Sequence, residues 1–284
     1  MAKGRLFVVA TPIGNMEDMT FRALKVLKGV DLVAAEDTRV AKKLLSRFGI
    51  SRPVESCFEH NEREKAPMLV AKMLEGASVA LISDAGTPGI SDPGYRLVRL
   101  AAENSIPIEP IPGPSALAAA LSISGLPTDR FTFLGFAPSA EGQRKRFFLS
   151  LRGGAHTYVL YESPKRIKET LASALEFLGD IEAALVREMT KRFEEVLRGR
   201  LNSIIAKLKD RDVKGEITLI LRTEEPVAEK AGLEAEIQRL LAAGLALKDI
   251  AKAVALEHGI SKSEAYKEAL KVKNDLGQNK RGST

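Results

Sequence analysis

Three short stretches concentrate the residue types that ligand chemistry uses, each set directly after a run of apolar residues. They are VATPIGNMEDMT at Val9–Thr20, ISDAGTPGISDPG at Ile82–Gly94 and IPGPSALAAAL at Ile111–Leu121. Glycine lets backbone come close to a ligand, and a carboxylate at such a turn can accept hydrogen bonds from a ribose or an amino group. Asp84, which directly follows its apolar run, is the sharpest single candidate; the competing reading makes it a cap or an Asx-turn. Asp92 takes that capping role before a helix starting near Tyr95. Gly113 and Pro114 make an ordinary helix entrance, while the small-residue run from Ser115 to Ala119 lets a flat ligand lie close. For any one isolated loop, tight-turn chemistry is the better account of Gly and Pro. The second loop packs three glycines, two prolines and two aspartates into thirteen residues, and there a ligand is the better reading.

Two common fingerprints are missing. No G-x-G-x-x-G follows the first apolar run and no G-x-x-x-x-G-K-[ST] occurs anywhere, so nicotinamide-dependent and P-loop chemistry lose their main support. Cys57 is the only cysteine, which excludes an internal disulfide, and His60, His156 and His258 are scattered. No metal site is expected from that set, and Cys57 reads as a buried thiol.

The elements that must position these loops follow from hydropathy patterning. The chain has 284 residues, 45% hydrophobic and 28% charged, which excludes a disordered or fibrous protein. No apolar run approaches a membrane span. The opening MAKGRLFVVATPIGN resembles a leader only superficially, because its apolar run is short and passes into a patterned domain; it reads as the first strand of a cytoplasmic protein. A formal charge of +6 is compatible with a polyanionic partner without requiring one. Apolar runs at Leu6–Ala10, Leu32–Ala35, Val79–Ile82 and Ile108–Ile111 predict buried strands. Amphipathic helices are predicted between them at Thr20–Lys28, Thr38–Phe48, Glu62–Glu75 and Tyr95–Asn104, the third capped by Asn61 with Glu64 completing a capping box. This alternation predicts an α/β domain over residues 1–115 with a largely parallel sheet.

A second α/β domain is expected over residues 116–224. Its strands are predicted at Phe131–Leu134, Thr157–Tyr161, Ala183–Arg187, Glu194–Arg198 and Ile217–Leu221, forming a mixed sheet. Its helices are predicted at Glu141–Leu151, Pro164–Leu178 and Leu201–Lys209. Thr223–Lys230 reads as a linker. Residues 231–275 form a small helical module, predicted at Leu233–Ala243, Ala246–Glu257 and Ser261–Lys273, whose last two helices resemble a helix-turn-helix with Ser261 as cap. The tail GQNKRGST reads as disordered.

Taken together, these loops closely resemble the tetrapyrrole-methylase superfamily, and most nearly its ribosomal branch, which 2'-O-methylates a cytidine of 16S ribosomal RNA. The resemblance is carried in order by LFVVATPIGNMEDMTFRAL, VAAEDTR, HNE at His60–Glu62, VALISDAGTPGISDPG, PIPGPSALAAALSISGL, YESPKR at Tyr161–Arg166, VREMTKRFEE and KGEITLIL, spanning residues 5–222. It implies two α/β domains, a homodimer, and S-adenosylmethionine bound folded in the cleft between the domains. By motif, Ile13, Asp84, Gly86, Ile90, Ser115, Ala116 and Tyr161 are brought near that cofactor, with Gly215 and Thr218 from the Gly215–Thr218 segment. Ser83–Ala85 stands where the tetrapyrrole-modifying branch has Gly-Asp-Pro, and Ala10–Gly14 replaces its glycine-rich first loop. Both departures count against a porphyrinoid substrate.

The implied reaction needs a proton acceptor for a weakly nucleophilic hydroxyl. Glu36, Asp37, His60, Glu62 and Glu162 lie in the resembling loops; Glu36, directly after a strand, is favoured, and His60 has a structural alternative within its loop. Arg39, Lys165, Arg166, Arg187 and Lys191 are candidate phosphate ligands, joined by Lys262 and Lys267 of the helical module. YESPKR has its own alternative, a helix start with Ser163 as cap and Pro164 first. Competing functions are a methyltransferase on a small anionic substrate such as a tetrapyrrole, and a non-catalytic RNA-binding ribosome-assembly factor.

Overall fold

Runs apolar at every position have no face to offer water, so they belong inside a sheet covered on both sides. This is where the computed structural model, which describes residues 3–224, 227–258, 260 and 262–279, places them. Strands β1 (Leu6–Val9), β2 (Leu32–Ala35), β3 (Val54–Ser56), β4 (Val79–Ile82) and β5 (Ile108–Ile111) form a wholly parallel sheet in the order β3-β2-β4-β1-β5. All four residues of both β2 and β4 are buried. Helices α1 (Phe21–Gly29) and α2 (Thr38–Arg47) contribute to the core around Leu27, Val33 and Leu44. Helices α3 (Glu62–Leu74) and α4 (Tyr95–Glu103) contribute to a second core around Leu69, Leu81 and Leu97.

A second sheet follows, built from β6 (Phe131–Phe136), β7 (Thr157–Glu162), β8 (Glu182–Arg187), β9 (Glu195–Arg200) and β10 (Ile217–Arg222). Its order is β6-β7-β10-β8-β9; β6 and β7 are parallel and the remaining pairs antiparallel. Between β5 and β6 lies α5 (Ala116–Ser124), whose Ala120 and Leu121 join Val159, Ala184 and Ile220 in one core. The small side chains of α5 allow this close helix–sheet approach. Helices α6 (Glu141–Ser150), α7 (Ile167–Leu178) and α8 (Leu201–Leu208) complete this half.

The two sheets belong to one compact unit, which runs to Phe148 and resumes over His156–Arg222. A second unit comprises Leu149–Ala155 and the chain from Thr223 onward. It contains α9 (Val227–Ala242), α10 (Leu247–Glu257) and α11 (Lys262–Asn279), with Leu233, Ile237, Ile250, Val254, Ala265 and Ala269 as its core. The linker expected over 223–230 is therefore shorter, because α9 is already formed at Val227. The tail expected to be disordered is helical to Asn279. The expected Ser261 cap lies outside the described residues.

Local differences from the sequence reading have simple causes. Strand β3 is three half-buried residues beside Pro53, too short to show a period. Asn61 does not cap α3; its side-chain oxygen accepts from the Phe58 N–H at 2.8 Å, closing a turn instead. Pro114 stays outside α5, where Ser115 is the N-cap and its hydroxyl accepts from the Ala118 N–H. Ser163 and Pro164 form a turn ahead of α7, which starts at Ile167.

Candidate active site

The loops after β1 and β4 leave the same edge of the parallel sheet and are tied together there. Thr11 N–H donates to the Gly86 carbonyl at 2.8 Å, Gly86 N–H returns to the Thr11 carbonyl at 3.1 Å, and the buried Thr11 hydroxyl donates to the Ser83 carbonyl. This bridge sets the two loops side by side, as ligand-binding loops lie beyond strand carboxyl ends in open α/β sheets.

The second half reaches the first loop through the segment after β8. Glu188 and Thr190 both adopt left-handed backbone, at φ 52° and 63°, a costly state for residues with side chains that concentrates at functional sites. The Thr190 hydroxyl accepts from the Asn15 N–H at 3.0 Å. Gly14 is required at this meeting point, since a Cβ there would lie 2.5 Å from the Lys191 Cγ and 2.8 Å from the Met189 carbonyl oxygen. Gly215, at φ 89°, is likewise fixed: a Cβ would fall 2.2 Å from Glu188 Oε1. That carboxylate accepts from the Glu216 N–H and from Lys191 Nζ, and Lys191 also pairs with Glu216.

Between these segments lies a cavity of about 350 Å³, a size suited to a cofactor-sized molecule. Ile13, Gly86, Ile90, Ser115, Ala116, Tyr161, Gly215 and Thr218 all line it. Of the residues read as cofactor-binding, Asp84 alone does not: it is exposed, and its carboxylate accepts from the Asp37 N–H at 3.1 Å. Glu216 and Ile217, inside the Gly215–Thr218 segment, line it too, as do Thr87, Ser91, Phe136 and Met189, which were not singled out from the sequence. Tyr161 is set by edge-on contacts to Phe133 and Phe136, at 4.8 and 6.0 Å between ring centres. Burial raises its hydroxyl pKa, opposed by the Leu117 N–H that donates to it.

Asp92 does not cap α4. The N-cap position is Gly94, and the orphan N–H groups of Arg96 and Leu97 are met by the buried Glu62, at 2.9 and 3.2 Å. Asp92 instead lines the cavity, where burial pushes its carboxyl up to about 6 against the Ser83 hydroxyl that donates to it.

The candidate proton acceptors scatter. Glu36 and His60 do not line the cavity. Glu36 is half-buried and raised by burial first, then by Asp84 and Asp92; His60 is exposed, edge-on to Phe58 at 6.3 Å. Asp37 caps α2 through the Arg39 N–H, and its hydrogen bonds with Arg39 pull it down to about 2. Glu162 lines the cavity with both oxygens engaged, by Ser163 N–H and the Thr170 hydroxyl at 2.7 Å each, and by Arg166 at 3.4 Å.

The candidate phosphate ligands separate in the same way. Arg39 pairs with Asp37, Arg187 with Glu195, and Lys191 with Glu188 and Glu216. Arg166 donates to the Ala137 carbonyl. Lys165, Lys262 and Lys267 are exposed. Cys57 is buried, its thiol pushed up to about 11 by burial, which makes it inert as a nucleophile.

Comparison with known proteins agrees with this architecture. Residues 5–205 match the family described as Tetrapyrrole (Corrin/Porphyrin) Methylases. A relative from Mesorhizobium japonicum named Ribosomal RNA small subunit methyltransferase I is 45% identical over 278 residues, covering 96% of this chain and 94% of its own. One of the same name from Halalkalibacterium halodurans is 42% identical, covering 93% and 94%. Among solved structures, diphthine synthase superposes with a TM-score of 0.59 at 16% identity, covering 78% of this chain and 90% of its own. A Thermus thermophilus uroporphyrin-III-C-methyltransferase superposes at 0.53 with 21% identity, covering 77% and 94%; these two share the fold. The match over residues 5–205 and the near-full-length identity above 40% place the chain in the tetrapyrrole methylase family, as a methyltransferase of the branch formed by the ribosomal RNA small subunit methyltransferases I.

Proposed function

We propose that the chain transfers a methyl group from S-adenosylmethionine to the ribose 2'-hydroxyl of a cytidine in the decoding region of 16S ribosomal RNA. The observation that carries this reading is the cavity between the two sheets, lined by the family's loops in a chain whose near-full-length relatives are named for small-subunit ribosomal RNA methylation.

The lining fits the cofactor's chemistry. Ile13, Ile90, Ala116 and Ile217 offer apolar surface to a flat base, while the hydroxyls of Ser115 and Thr218 and the backbone at Gly86 and Gly215 offer hydrogen bonds to its polar ends. S-adenosylmethionine supplies an electrophilic methyl group on a positively charged sulfur. The walls exclude water and hold nucleophile and methyl carbon in line, the main requirement of such a displacement. Asp84 acts from the strand edge by fixing the turn into α2, and Tyr161 closes the wall on the side of the second sheet.

The exposed Lys165, Lys262 and Lys267 contact the RNA backbone, with Arg39 able to exchange its carboxylate partner for phosphate. Arg166, Arg187 and Lys191 serve the protein's own frame. The substrate is the small ribosomal subunit or its RNA, the active form is a homodimer, and the protein works in the cytoplasm; no described helix is long and apolar enough to cross a membrane.

Tritiated methyl transfer to small subunits lacking the modification tests the proposal, with Ala116→Trp as the variant that fills the cavity. Label should appear in an alkali-resistant dinucleotide and vanish in the variant together with cofactor binding. Cofactor binding without transfer to the subunit would instead move the substrate to a small anionic molecule.

A further inference from the structure

We propose that Asp92 is the proton acceptor for the hydroxyl that becomes methylated, a role that rests on reading the cavity as the methyl-transfer site. Its ionisable lining residues are Asp92, Tyr161, Glu162 and Glu216. Three of these are unsuited to the task. Glu162 has both oxygens engaged by Ser163, Thr170 and Arg166. Glu216 is paired with Lys191 at 3.0 Å. Tyr161 is pushed above its ordinary value and so stays protonated at neutral pH.

Asp92 differs in each respect. Hydrogen bonding with the buried Ser83 hydroxyl lowers it only against the larger effect of burial, and that hydroxyl also reaches the Ala85 and Gly86 carbonyls at 3.3 and 3.5 Å. Among the described residues no lysine or arginine pairs with it. The charged groups that face it are acids: Asp84 from the end of β4, which raises it further, and Glu36 from the end of β2, whose own carboxyl it raises. Arg39, the cation whose charge acts on Asp84, is held by Asp37. A carboxyl raised to about 6 is ionised at neutral pH yet holds a proton roughly a hundredfold better than an ordinary aspartate. The preceding Ser91 stands at φ 59°, so backbone strain is held next to this side chain.

In the step, the hydroxyl oxygen bonds to the methyl carbon and the carbon–sulfur bond breaks with its electron pair left on sulfur. The hydroxyl proton passes to the Asp92 carboxylate and from there to solvent.

The test compares wild type, Asp92→Asn and Asp92→Glu in single-turnover methylation of unmodified small subunits across pH 5 to 9. Cofactor and subunit dissociation constants are measured in parallel, and the aspartate carboxyl carbons of the ligand-free protein are titrated by NMR. Asp92→Asn should lose about a hundredfold or more in rate with both dissociation constants within about threefold of wild type. The wild-type rate should fall about tenfold per pH unit below about 6, Asp92→Glu should regain part of the rate with a displaced inflection, and one carboxyl resonance titrating near that pH should be missing from Asp92→Asn. An Asp92→Asn rate equal to wild type overturns the proposal while leaving the methylation reading intact. Loss of cofactor binding in Asp92→Asn overturns it in favour of a cofactor ligand. A wild-type protein inert toward the subunit overturns the methylation reading itself.

Discussion

The carboxylates at the edge of the parallel sheet and those of the mixed sheet are the same residue types under opposite electrostatics. At the first edge, Glu36, Asp84 and Asp92 are all raised, by burial before anything else, and Asp84 and Asp92 each add to the cost of ionising a neighbour. In the second half, Glu188 is lowered by its hydrogen bond with Lys191, and Glu195 by Arg211. Acids with cations lock segments in place, as Glu188 does for the strained turn after β8. Acids left without cations store proton affinity, which a structural role does not need. The comparison separates a working edge from a supporting one, with Asp37 and its Arg39 partner as the exception that caps a helix inside the working edge.

The largest effect should come from the supporting half. Glu162→Ala removes a fully buried carboxylate and strands Ser163 N–H, the Thr170 hydroxyl and Arg166. Breaking such a buried cluster from one side costs about 3–5 kcal/mol, read as a lowered urea midpoint at unchanged slope. A loss under about 1 kcal/mol would mean that the supporting carboxylates support little. Next in size is Glu62→Ala. Glu62 belongs to the parallel half but serves the N-terminus of α4, and losing a cap of this kind costs about 1–2 kcal/mol. The same denaturation experiment checks it; full activity per folded molecule is expected to remain.

Much of this was legible in the sequence, and the reasons it was not complete are physical. Continuous apolar runs gave β1, β2 and β4, because burial leaves a signal that needs no partner to read, whereas β5, Ile-Glu-Pro-Ile at the sheet edge, is a strand where expected but has only Ile111 buried. The glycine- and proline-rich loops marked the cavity through Gly86, Ser115 and Ala116, since turn residues advertise close backbone approach. Asp92 was misread as a cap, because Asp before a helix is the ordinary cap signal, and the true partner of α4, Glu62, lies thirty-odd residues earlier in a different helix. Glu188 and Thr190 carry left-handed backbone without the glycine that would announce it. Ion pairs such as Lys191 with Glu216 depend on tertiary placement, so candidate phosphate ligands could not be sorted from structural cations by residue type.

A gain of stability is expected at the working edge. The folded pKa of Asp92, about 6, lies above the ordinary 3.8, so between those values the folded state binds more protons than the unfolded one. Wild-type stability should therefore fall as pH rises through that window and stay lower above it. Asp92→Asn removes the ionisation and should raise stability at pH 8 by about 1 kcal/mol, once solvent screening of a partly exposed group is allowed for. At pH 4 the two proteins should differ little. Denaturation midpoints at both pH values give the answer, and a variant less stable at pH 8 would place Asp92 among the supporting carboxylates.

The smallest effect belongs to Arg211→Ala, and it sharpens the comparison most finely. Arg211 meets Glu195 through two parallel hydrogen bonds of 2.8 Å each, the strongest geometry a guanidinium and a carboxylate can adopt. It is also 42% exposed, and water weakens an ion pair more than geometry strengthens it. Arg187 still reaches Glu195 at 3.2 Å after the truncation, so the carboxylate keeps a cation. The cost should be about 0.5–1 kcal/mol at low salt and shrink further in 1 M salt, where charges are screened within about 3 Å. Glu195 should remain below its ordinary pKa in the variant, held by Arg187 alone. If instead Glu195 rose and methylation fell, the supporting edge would be tuning proton affinity as well, and the division between the two sheets would have to be redrawn around individual residues.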